Sequence, residues 1–250
     1  MSNSTSLNPV HLSKVTTRGV AASRRFTSFW QTMIGKKVVV AVTGVVLIGF
    51  VIGHMIGNLK IFAGPNEIDT YARFLREAGT PELSNGQLLW IVRIVLLACV
   101  AFHITAAVQL SRMSWAARPV GYQVKRNIEA TFAARMMRWG GVLLAAFVIF
   151  HLLHLTGGIV GFGPGQFRDL AVYQNVLFAF AVWPVALFYI AAMAALGLHL
   201  SHGIWSMLQT LGWNTARKDE NLRVLSRLIA IVVFVGFTSV PVAVMAGWLH

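Results

Sequence analysis

The sequence predicts an all-α integral membrane protein with five transmembrane helices, and three observations predict it. The 250 residues are 56% hydrophobic and only 12% charged, about half the charged share of an ordinary soluble domain. Five apolar runs each reach the roughly 20 residues that crossing a bilayer takes. Lys and Arg gather on one side of those runs, the bias that sets membrane topology. The single cysteine, Cys99, lies inside an apolar run, so this chain alone builds neither a disulfide framework nor a Cys-ligated zinc or iron–sulfur site. Any metal is held by nitrogen or oxygen.

Two regions follow: a basic N-terminal segment, residues 1–35, and a membrane domain, residues 36–250. The segment is rich in Ser and Thr, with basic residues and no acidic ones. It reads as a disordered cytoplasmic tail that orders against a partner, although an organelle transit peptide shares that composition. The first span, near 37–58, is too long in its apolar core for a cleaved signal peptide, and no small-residue cleavage site follows it. Arg24-Arg25 is therefore weak evidence for twin-arginine export. Gly49, Gly53 and Gly57 form a small-residue stripe along this span. Its simplest use is close approach of a neighbouring helix, and the alternative is room for a ring.

The connection after it is long, about 29 residues. In "NEIDTYARFLREAG", Ile68, Tyr71, Ala72 and Leu75 recur at helical spacing, with Asn66 placed as N-cap and Gly79 as stop. That predicts a short amphipathic helix on the membrane surface. The second span, near 88–110, carries Arg93 in its outer third, where an unpaired cation is costly. The third runs near 137–157 and ends in "FVIFHLLHLTGG"; the fourth and fifth fall near 176–202 and 224–248. Trp205 and Trp213 read as interfacial belt aromatics.

Orientation follows from the basic residues. The leader, the second connection and the fourth connection together hold sixteen of them, whereas the first and third hold only Lys60, Arg73, Arg76 and Arg168, balanced by acids. The N-terminus is thus predicted in the cytoplasm and the C-terminus outside. The net charge of +13 is mostly topology, and a nucleic-acid partner has no folded basic domain to meet.

Six of the eight histidines lie in or at the ends of spans: His54, His103, His151, His154, His199 and His202. A lone intramembrane histidine is most often a packing or relay residue. Four consecutive spans each carrying one or two call for another account. At 1.5 Å per residue, His54 lies about 25 Å past Lys37 and His151 about 20 Å past Arg138, both in the outer half. On the descending spans, His103 and His199 fall late, in the inner half. Two cross-helix pairs result: His54 with His151 or His154, and His103 with His199 or His202. Opposed imidazoles at two depths are what two bis-His b haems in a helical bundle require. Histidine-bound zinc wants three or four ligands at one point, and a proton-relay transporter is the remaining rival. Residues three apart differ by about 300° around a helix and 4.5 Å along it, so one of each close pair can ligate while the other meets a neighbour.

The stretches "GKKVVVAVTG", "IGHMIGN", "CVAFHITAAVQL", "RWGGVLLAAFVIFHLLH" and "LHLSHGIWSM" resemble the single-polypeptide, five-helix, di-haem cytochrome b membrane anchor of succinate dehydrogenase and fumarate reductase. The resemblance runs from about residue 35 to 245. It implies that His54 and His151 hold the iron of an outer haem and His103 and His199 that of an inner one, with His154 and His202 as neighbours. It argues against the cytochrome b of quinol:cytochrome c oxidoreductases, in which one helix carries two ligands 13 or 14 residues apart. It also implies a bacterial plasma membrane, a flavoprotein and an iron–sulfur partner docked on the cytoplasmic side, and quinone, menaquinone above all, as electron acceptor. Electrons moving outward would gain about 2.3 kcal/mol per charge per 100 mV of membrane potential. Arg93 then pairs with a haem propionate or snorkels to the interface. Glu67, Asp69 and Glu77 are candidates to exchange protons with quinone, against a plain surface role. The rival from another enzyme class is the cytochrome b of a hydrogenase or formate dehydrogenase.

Overall fold

A computed structural model of the chain describes residues 28–117 and 132–250. All regular structure among these residues is helical, and five helices are long and apolar enough to cross a membrane. Most of the N-terminal segment, and Arg118, Lys125 and Arg126 of the second connection, lie outside the described residues.

Helix α1, Met33–Leu59, starts where the Thr32 side chain accepts the Gly35 amide at 2.9 Å, satisfying one of the free N–H groups of the first turn. A 3₁₀ turn, Lys60–Ala63, ends it. Gly64, at φ 106°, then redirects the chain into α2, Pro65–Glu77. Proline at the helix start lacks only an N–H that would be unpaired anyway. The structure thus places the start two residues ahead of the predicted Asn66 cap. Ile68 is the one buried residue of α2, and Gly79 follows the helix with positive φ.

Helix α3, Gln87–Ala116, is the second span; α4, Phe132–His151, is the third and passes into a π-helical turn, Leu152–Thr156. The predicted fourth span near 176–202 is corrected by the structure. A short helix α5, Val172–Ala181, stops at Val182, whose backbone is extended, and α6, Trp183–Thr210, is the membrane-length helix. Pro184 explains the break, because a proline has no N–H to donate and its ring clashes with the carbonyl four residues earlier. The apolar run continues through the break, so hydropathy reads straight across it. Helix α7, Asp219–Met245, is the fifth span.

Helix α6 packs most extensively on α7, α1 on α3, and α4 on α6, with α7 also buttressing α1. The α6 seams are built from small side chains: Ala186 and Ala192 are fully buried, and Gly197 meets Phe234. Within lipid, close approach and dispersion drive helix association, which small residues permit. At one end, α2 and α5 form a cap. The Asp69 carboxylate accepts the Tyr173 amide at 3.0 Å, and Arg76 grips Asp169 with two hydrogen bonds of 2.8 and 2.5 Å.

Candidate functional site: two stacked imidazole pairs

The histidines predicted to pair across helices do meet. His54 of α1 and His151 of α4 bring their ring centres within 5.9 Å; His103 of α3 and His199 of α6 come within 6.4 Å. Two imidazoles bound to opposite sides of one metal, each nitrogen about 2 Å from it, have ring centres roughly 6 Å apart. Both pairs match that separation.

Two helices independently measure the step between the levels. Thr43 of α1 hydrogen-bonds His103, eleven residues before His54. Tyr189 of α6 reaches His151, ten residues before His199. At 1.5 Å per residue these intervals correspond to about 15–17 Å. The pairs are therefore separate sites in tandem along the bundle.

The hydrogen bonds fix which nitrogen of His103 is free. Thr43 Oγ1 has one hydrogen and lies 2.7 Å from Val39 O, the usual partner of a helical threonine. Toward His103 Nδ1, at 3.0 Å, it accepts. His103 therefore carries its proton on Nδ1 and leaves Nε2 as a bare lone pair, the form a metal ligand needs. The ring lies over Gly44 of α1, where a Cβ would stand in ordinary contact, 3.8 Å from His103 Cε1. Across from it, His199 Nδ1 is buried with no partner, and the ring borders an apolar cavity of about 150 Å³ between α4 and α6, beside Met136 and Leu143. These donor sets fit two axially ligated haems: two imidazoles per level, in apolar surroundings, with the ring supplying the other bonds to iron.

The structure separates the close pairs. His154 is fully buried, boxed by Phe150 and Phe162 at 5.1 and 5.2 Å between ring centres. Its Nε2 abuts Gly161, whose φ is +79° and where any Cβ would fall 2.7 Å from that nitrogen. His151 is the member that faces His54. His202 lies against Trp205 at 5.6 Å, and Arg223 stacks on the same indole at 3.8 Å, while His199 faces His103.

The other candidates are dispersed. Arg93 lies over the Trp90 ring at 5.0 Å, an interfacial pairing of cation and aromatic. Glu67 and Glu77 are exposed on α2, and Asp69 is engaged with the Tyr173 amide. At Gly49 and Gly53 a Cβ would meet nothing within 4 Å, so no helix packs there; Gly57 receives the Tyr71 ring. Sequence reasoning missed Tyr189 and Thr43. A tyrosine in "VALFYIAAM" is the signal, because a buried phenol requires a polar partner.

No protein family, curated protein or solved structure matches the chain.

Proposed function

We propose that this multi-pass membrane protein is the di-haem cytochrome b anchor of a succinate:quinone oxidoreductase, resident in a bacterial plasma membrane. The observation that carries the reading is the pair of cross-helix imidazole contacts, 5.9 and 6.4 Å, at two levels of one bundle. His54 and His151 are the ligands at the capped end, His103 and His199 at the other. Bound there, two b haems supply one-electron carriers in series across about 30 Å of hydrocarbon, which one alone does not bridge.

The chain's own residues do the rest. Thr43 holds His103 as an Nδ1–H imidazole, ready to ligate. Phe50, Phe237 and Phe147 pack their rings on the outer pair and give it apolar neighbours. The basic connections face the cytoplasm and dock the iron–sulfur and flavoprotein partners, which hold the dicarboxylate site. Quinone, menaquinone in this reading, reacts near the capped end, where Glu67, Asp69 and Glu77 of α2 are the acids available to it, and Arg93 neutralises a propionate.

A reduced-minus-oxidised optical spectrum of the purified complex tests this. Low-spin b-haem bands, reduced by succinate, are the expected result. Bands that only hydrogen or formate reduces would point to a hydrogenase or formate dehydrogenase subunit. A colourless protein would leave the histidine-relay transporter.

A further inference from the structure

Tyr189 is a buried polar group that neither pair of ligands accounts for. It sits on α6, 6% exposed, with its hydroxyl 3.3 Å from His151 Nδ1 and 3.0 Å from His154 Nδ1. A phenol has one hydrogen, and among the described residues these two nitrogens are its only partners, so it donates to one and accepts from the other. The contact joins three elements: α4, the π-helical turn that follows it, and α6. Such turns recur at functional sites, and this one carries His154 into reach of the phenol.

Only one direction of this chain leaves His151 able to ligate. If Tyr189 donated to His151, the imidazole proton would sit on Nε2, the nitrogen a metal needs bare. With the direction reversed, His151 Nδ1–H donates to Tyr189, and Tyr189 donates to His154 Nδ1 at the shorter of the two distances. His154 then bears its proton on Nε2, the buried nitrogen without a partner that is closed off by Gly161. His154 is locked in place by Phe150, Phe162 and that glycine, so it is a fixed acceptor for the phenol.

We propose that Tyr189, backed by His154, is a positioning residue that selects the ligating tautomer of His151 and strengthens it as a donor to the outer haem iron; this rests on the di-haem reading above. A ligand histidine that donates its other N–H is more basic. The more basic ligand favours ferric over ferrous iron and lowers the reduction potential of that site. Hydrogen bonds in series reinforce one another, so the effect depends on His154 accepting.

The test is an optical redox titration of the full chain purified with its partners, reading the two haems separately. Tyr189→Phe keeps both haems and raises the potential of the outer one alone, by about tenfold in its ferric-to-ferrous ratio, roughly 59 mV for one electron. His154→Leu raises it by less, and His154→Gln, which still offers an oxygen to the phenol, stays at the parent value. An unchanged outer potential in Tyr189→Phe overturns the inference, as does an equal shift of both haems. Where Tyr189→Phe fails to accumulate, the two His154 variants decide, and identical behaviour of Leu and Gln overturns it. A colourless parent protein sinks the di-haem reading itself, whereas a haem-loaded parent indifferent to these substitutions sinks only the role of Tyr189.

Discussion

Thr43 shows how one hydroxyl can govern a site. Because Val39 takes its hydrogen, it offers His103 only a lone pair, and the imidazole must turn its N–H toward α1. Thr43→Val keeps the shape but removes that acceptor and leaves the N–H with the Val40 carbonyl alone, a loss of about 1 kcal/mol. Thermal unfolding in detergent should show Thr43→Val less stable than the parent and Thr43→Ser close to it. The ligand pairs make a sharper prediction. Replacing His54 or His151 removes the outer haem's spectrum, and replacing His103 or His199 the inner one's, so haem per chain falls from two to one. Replacing His202, which rests on Trp205, leaves both irons six-coordinate. Depth along the spans was legible from the sequence because helical rise is constant. Direction around the helix was not: spacing left His151 and His154 equivalent, the resemblance implied His151, and in the structure it is His151 that faces His54.

The α2–α5 cap illustrates what an element can and cannot reveal. Its amphipathic pattern predicted α2, but the partner of α2 was hidden inside what reads as the fourth span. Asn175 secures the approach to α5 by bonding both the amide and the carbonyl of Arg168, at 3.1 and 2.7 Å. Asn175→Ala removes the partner of the Arg168 amide and leaves its carbonyl with the Ala171 amide alone, which should cost about 1 kcal/mol, seen as a lower melting temperature with haem content intact. The Arg76–Asp169 pair behaves differently, since its side chains are 39% and 67% exposed and such solvent-reached pairs contribute at most about 1 kcal/mol. The hydrogen bond from Arg76 holds the Asp169 carboxyl below the usual carboxylate range. A carboxylate with a lowered folded pKa stabilises above its unfolded value of about 4, and this is lost as pH falls through the folded value. A small stability gap between the parent and Arg76→Ala should therefore hold from about pH 5 to 8 and close under more acidic conditions.

At the scale of the molecule, five crossings put the two chain ends on opposite sides of a membrane. The sixteen basic residues of the leader and the second and fourth connections predict the direction, with the N-terminus inside. A reporter active only outside the cytoplasm should work when fused after His250 and fail when inserted at Gly212, between α6 and α7. The reverse pattern would invert the membrane orientation of both imidazole pairs. The packing of α7 along α6 and α1 holds two of the imidazole-bearing helices side by side.

By itself the sequence determined the all-helical class, the number of spans, and the two depths at which histidines recur, because hydropathy and the rise per residue act along one dimension. Only the tertiary structure decided that His151 faces His54 and His199 faces His103, that proline parts α5 from α6, and that a phenol joins two histidines of the third span. Those are matters of azimuth and of which helix lies beside which. They are settled by side chains in contact across the bundle, and no periodicity along a single helix encodes them.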